Sequence, residues 1–165
     1  MASESSSFSG QLVAICLADD KCADLQSVAE AEAIAGKGLA GDRYFRQVGT
    51  YSKGGIAPDR EVTLIEIEAL HALQRECSLT VAPEKARRNL VTRGVPLNHL
   101  VGREFAVGAV VLRGLRLCEP CGHLEKLTVT GINAGLVHRG GLRAQVIVGG
   151  VLRVGDPIGP RSAHQ

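Results

Sequence analysis

From residue 95 onward the chain is written as short apolar runs punctuated by glycine, as in "REFAVGAVVLRGLRLCEPC" and "LRAQVIVGGVLRVGDPI". Val, Leu and Ile fill the runs, and long helical patterns are few. Glycine is frequent throughout, with 20 among 165 residues and no fixed period. Such glycines suit tight turns and bulges, where a backbone without Cβ is needed. Many short strands divided by turns predict a mainly β domain, closed as a barrel or stacked as a sandwich. A barrel would remove the exposed edges that an open sheet leaves.

The length suits one domain with a core large enough to need no disulfide or metal staple. No internal repeat or linker divides it. The expected domain runs from residue 10 to 158, with residues 1–9 and 159–165 as flexible termini. The opening "MASESSSFSG" lacks Lys and Arg and has no long apolar stretch beside it, so it reads as a loose start and not as a signal peptide. A cytoplasmic location follows as the expectation. Thiols stay reduced there, so Cys16, Cys22, Cys77, Cys118 and Cys121 are not read as a disulfide framework.

Formal net charge is only +2 and no block of like charge stands out. That argues against nucleic acid and membrane surfaces as partners. Base-stacking platforms are scarce, with two Tyr, three Phe and no Trp. No apolar run reaches the roughly 20 residues that cross a bilayer.

Along the chain, "GQLVAICLA" (10–18) reads as a first strand. "VAEAEAIAG" fits either a short helix or an extended segment ending in glycine. Residues 49–60, with Gly, Ser, Pro and Asp together, read as a mobile loop. "EVTLIEI" (61–67) reads as a strand running into a helix, on which Ile67, Leu70 and Leu73 recur at spacing three. "APEKARRNLVTRG" places Pro83 where a helix's first turn tolerates it and Gly94 after the apolar stop, which predicts a second helix. Gly149-Gly150 between two apolar runs predicts a two-residue hairpin.

The chemistry concentrates in "LCEPCGHLEKL", residues 117–127. Its two cysteines admit three readings. They could be a redox pair, although the following helix is short and no parallel α/β pattern surrounds it. They could join His123 as three of the four ligands of a structural zinc site. Or a single thiolate, Cys121, could ligate a soft metal or carry sulfane sulfur, with Pro120 stiffening the turn before it. Against all three stands burial, since free cysteine is often a small core residue. Three glycine-accompanied basic clusters complete the inventory. These are "GDRYF" with Asp42 and Arg43, "KARRNL" with Lys85, Arg87 and Arg88, and "VHRGGLR" with His138, Arg139 and Arg143. Arginine grips phosphate or carboxylate with paired N–H groups, and these clusters could converge on one phosphorylated ligand.

Taken in order, "GLAGDRYF", "EVTLIEIEAL", "ARRNLVTRGVPLNHLVGREFAVGAVVLRGLRLCEPCGHLEKL" and "GLVHRGGLRAQVIVGGVLRVGDPI" resemble the MOSC domain, named for the C-terminal part of molybdenum cofactor sulfurases. The likeness is to small stand-alone bacterial members and covers residues 10–158. It implies a β-barrel of the pyruvate-kinase-barrel type with a few short helices, and the molybdenum cofactor (molybdopterin) as ligand. It implies that Cys121 is the metal ligand or the sulfur carrier. Arg87 and Asn89 match the family's Arg-x-Asn cofactor contact, and Gly41, Asp42 and Arg43 match its "GDR" element. With Arg139 and Arg143 from the third cluster, these form the expected binding set. Partners implied are a small-molecule substrate with a separate reductase, or a sulfur-donor desulfurase. The family also has an association with pyridoxal phosphate. Lys53 stands where reductase-type members place the histidine of a His-Gly-Gly step.

Overall fold

The computed structural model describes residues 7–47, 49 and 57–161. Seven strands close into a barrel. They are β1 (Gly10–Leu17), β5 (Val62–Glu66), β6 (Leu90–Arg93), β7 (Glu104–Val107), β8 (Val110–Leu117), β9 (Leu142–Val148) and β11 (Pro157–Pro160). Round the barrel the order is β1, β6, β5, β9, β8, β7, β11, and β11 pairs back onto β1. Every neighbouring pair is antiparallel except β5 and β6. The short β2 (Gln26–Val28) adds to β1 outside the closed ring. A second sheet has three strands in the order β10 (Gly150–Arg153), β3 (Glu30–Ile34), β4 (Gly38–Leu39). The "VAEAEAIAG" segment is thus extended, not helical.

Strand alternation sorts the apolar residues into two cores. Leu64 on β5, Leu90 on β6 and Leu142 on β9 point inward and pack with Leu12, Phe105 and Ile158 in the barrel. Their chain neighbours Ile65 and Val91 point outward into a second core. That outer core is covered by α1 (Ile67–Cys77), α2 (Gly122–Leu127) and α3 (Ile132–Gly135), which supply Leu70, Leu73, Leu124 and Ile132. β5 is therefore buried on both faces, which explains why its sequence runs apolar instead of alternating strictly. α1 ends at Ser78, which adopts the left-handed conformation and donates its N–H to the Gln74 and Leu73 carbonyls.

Two sequence expectations are corrected. The helix expected over "APEKARRNLVTRG" is a single 3-10 turn at Pro83–Ala86, after which Arg87 turns left-handed (φ 58°) and the chain enters β6. The parallel pairing of β6 with β5 overrides the local helical pattern. Gly149-Gly150 does not form a hairpin either. β9 pairs with β5 and β8, whereas β10 pairs with β3, so the two glycines are where the chain leaves the barrel for the small sheet. Gly159 and Pro160 belong to β11, and the residues after Arg161 fall outside the described set.

At the junction of β5 and α1, burial and then the neighbouring Glu68 push the Glu66 carboxyl up to about 6 from 4.5. The folded chain holds this proton more tightly than the unfolded one. Its contribution to stability is complete below about pH 4.5 and is lost as pH rises through about 6. Glu66→Gln should therefore stabilise the protein by about 2 kcal/mol at pH 8 and by nothing at pH 4. Thermal melts of both proteins at the two pH values check this.

Candidate functional site

A cavity of about 390 Å³ lies where β5, β6, β8 and β9 run side by side. Strand register builds its floor. Arg116 on β8 stands opposite Arg143 on β9, and Arg143 stands opposite Thr63 on β5. These residues alternate with Leu142 and Leu64, which face the barrel interior, so the row faces outward. The cavity sits on the outer wall of the barrel, beside α2, and not inside it. Arg60 precedes β5, Arg87 and Arg88 precede β6, and the Cys118–Cys121 loop follows β8. All of these line the cavity, together with Arg43, Tyr44 and His123.

Most of these arginines are held in place. Arg43 pairs with Asp42 at 3.2 Å and lies over the Tyr44 ring, 4.8 Å from its centroid. Arg87 donates to the carbonyls of Lys21 and Ala23, at 2.9 Å each, and so fixes the 21–23 loop at the cavity rim. Arg116 pairs with Asp59 at 2.9 Å, and Arg143 donates to the Asp59 carbonyl at 3.2 Å.

Positive charge still exceeds negative. Among the described residues six arginines line the cavity, with Glu119 as the one lining carboxylate and Asp42 and Asp59 just outside the lining. The field is visible on its neighbours. Burial and then Arg43 disfavour the charged form of Arg87. Burial, then Arg87, Arg43 and Lys126, hold His123 below the usual imidazole range, against a backbone hydrogen bond at Lys21 that favours its charged form. A pocket with cations in surplus and apolar walls such as Leu117 and Leu124 has the charge balance that suits an anion.

The two cysteines of the loop differ in burial. Cys118, at the end of β8, is 3% exposed. Cys121 is only partly buried and packs beside the outer core, with extended backbone (φ −137°, ψ 168°) just before α2. Both line the cavity. Among the described residues no group of three or more His, Cys, Asp or Glu could hold a metal ion, so Cys118, Cys121 and His123 do not form the ligand cluster of a structural zinc site.

Of the residues singled out from sequence, the structure brings Cys121, Arg43, Arg87 and Arg143 together at the cavity. Asp42 is fully buried, accepting from the Ala18 and Tyr44 N–H groups and from Arg43. Asn89 is also fully buried, outside the lining. Its Oδ1 accepts from the Thr63 N–H and hydroxyl, and its Nδ2 donates to the Cys16 carbonyl, so it ties β1 to β5 behind the cavity wall. Arg139 lies elsewhere, bonded to the Gly135 carbonyl and paired with Glu76 at 2.6 Å. Arg60, Arg116, Thr63 and Tyr44 were not singled out as binding residues. Strand register, which sets Arg116 and Thr63 opposite Arg143, accounts for two of them; Arg60 and Tyr44 reach the cavity from outside the strands. Lys53 lies outside the described residues.

Fold and cavity together describe a β-barrel with an arginine-rich cavity on its outer wall and a partly buried thiol lining it. The chain belongs to the MOSC domain family, whose domain matches residues 51–159. That family is generally associated with binding the molybdenum cofactor. Among solved structures, the YUAD protein of Bacillus subtilis is 16% identical with a TM-score of 0.74, covering 93% of this chain and 97% of its own. YiiM of Geobacillus stearothermophilus is 14% identical with a TM-score of 0.71, covering 93% and 75%. YiiM of Escherichia coli is 20% identical with a TM-score of 0.63, covering 94% and 70%. At these identities the likeness establishes the fold. No curated protein matches the chain. Among the described residues no helix is long and apolar enough to cross a membrane.

Proposed function

We propose that the arginine-lined cavity binds a molybdenum cofactor, that Cys121 is the protein ligand to its metal, and that the chain is the cofactor-bearing component of a reductase for N-hydroxylated substrates. The observation that carries this is the convergence of Cys121 with Arg43, Arg60, Arg116 and Arg143 on one cavity. The donor set fits the group. A thiolate suits a soft metal, and guanidinium N–H forks suit a terminal phosphate. Bound there, the cofactor supplies two-electron redox chemistry.

The chain's own residues hold and shape. Arg116 and Arg143, side by side on adjacent strands, present two guanidiniums to an anion. Arg87 gives its N–H groups to backbone carbonyls and so contributes charge and shape more than direct bonds. Leu117, Pro120 and Leu124 line the rest and limit water beside the thiol. In the overall reaction the N–O bond of a hydroxylamine breaks and the oxygen leaves as water. Two electrons from a separate reductase and two protons from solvent enter, leaving the amine.

A second reading makes Cys121 a persulfide carrier loaded by a desulfurase. It is favoured by the contrast between a reachable Cys121 and a Cys118 that is 3% exposed. One experiment separates the two. Cofactor-loaded protein with a chemical reductant is given an N-hydroxylated purine base, and cyanide-labile sulfur is measured on the same preparation. Amine production supports the reductase. Labile sulfur that depends on Cys121, with no amine formed, supports the carrier and overturns the first reading.

A further inference from the structure

Arg88 lies between the two residues matched to the family's Arg-x-Asn step, and it is 7% exposed. A buried guanidinium is costly unless its donors are met. Its Nε donates to the Gly140 carbonyl at 2.9 Å, one terminal nitrogen to the Cys118 carbonyl at 3.3 Å and the other to the Ala86 carbonyl at 3.5 Å. Among the described residues no carboxylate pairs with it, so its charge remains available to the cavity it lines.

The two longer-range bonds join separate segments. One is the Cys118–Cys121 loop and the other is the turn before β9. The same segments meet twice more. Cys118 donates its N–H to the Gly141 carbonyl at 2.7 Å. A Cβ on Gly140 would stand 2.4 Å from the Cys118 carbonyl oxygen and 2.9 Å from the Pro120 ring. Arg88 thus bonds both segments at the place where the bare Gly140 backbone lies against the Cys118 carbonyl and Pro120.

We infer that Arg88 and Gly140 form a clamp that positions the Cys121-bearing loop, making Arg88 a positioning residue for the working thiol. The inference takes from the proposed function only that Cys121 is the working thiol. Its test needs neither cofactor nor activity. Wild type, Arg88→Met, Arg88→Lys and Gly140→Ala are treated with iodoacetamide under native conditions, and the alkylation rate of each cysteine is read by peptide mass spectrometry. Cys16, fully buried on β1, reports global opening, and exposed Cys77 reports reagent strength. Loosening the loop should raise the Cys118 rate roughly tenfold and shift the Cys121 rate, with Cys16 still protected, Cys77 unchanged and Arg88→Lys in between. Gly140→Ala, which leaves Arg88 intact, should show the same selectivity and decides the matter if Arg88→Met does not fold. Unchanged Cys118 and Cys121 rates, or a Cys118 rate that rises only in step with Cys16, would overturn the clamp. Either result leaves the reductase reading to its own experiment.

Discussion

Cys121→Ala should lose reduction of N-hydroxylated substrates down to the no-protein background, while the cavity keeps its hold on anions. The thiol and the arginines lie on different elements. Cys121 sits between β8 and α2, whereas Arg116 and Arg143 lie on adjacent barrel strands, Arg87 just before β6 and Arg43 after β4. Removing one partly buried sulfur leaves those guanidiniums and their partners Asp42 and Asp59 in place. The variant should therefore fold and melt within about 1 kcal/mol of wild type. It should bind inorganic phosphate with the same salt dependence, since that comes from the arginines. Cys118→Ala, in contrast, removes a thiol that is 3% exposed, and should cost some stability while leaving activity measurable. Assays on the two variants beside wild type check the assignment. Equal loss in both would mean that the loop and not the sulfur of Cys121 matters.

Gly141→Ala should be the most damaging single methyl group near the site. Gly141 has φ +115°, a conformation that L-residues avoid, and a Cβ there would stand 1.9 Å from the Leu64 carbonyl oxygen. The clash is with the backbone of β5, a strand buried on both faces, so neither side can yield cheaply. Strain and overpacking together should cost about 4 kcal/mol. For a chain of this size that lowers Tm by about 10 °C. Differential scanning calorimetry checks it. A melt within a degree or two of wild type would show that β5 and β9 can part without penalty.

How much of this was legible in the sequence depends on how local each signal is. The β-rich class was, because short runs of Val, Leu and Ile between glycines leave few long helices to build. α1 was, because Ile67, Leu70 and Leu73 repeat at helical spacing. Strand β6 was not, and a helix was expected over it instead, because the pairing of Leu90 with Leu64 is a contact 26 residues distant that no local pattern carries. Gly149-Gly150 looked like a hairpin because a Gly-Gly turn and a change of sheet use the same backbone freedom. At the site, Cys121 was chosen over Cys118 through the family resemblance, and the fold adds that Cys118 is the more buried of the two. Asn89 was marked as a cofactor contact through its motif, while the fold uses it to tie Thr63 to Cys16 behind the wall. Arg60 and Arg116 look like ordinary surface residues until the fold brings both to one cavity, where register sets Arg116 opposite Arg143.

Cofactor binding as proposed depends on an excess of guanidinium charge gathered around a partly buried thiol. The most direct measurement is the amount of pterin and molybdenum kept through gel filtration after apo-protein is loaded with the cofactor. Wild type is to be compared with Arg116→Gln/Arg143→Gln. The wild-type chain should keep the cofactor and release it as salt is raised, and the double variant should bind at least about tenfold more weakly while still folded. A folded wild-type chain that emerges without pterin, or a double variant that keeps as much as wild type, would contradict it.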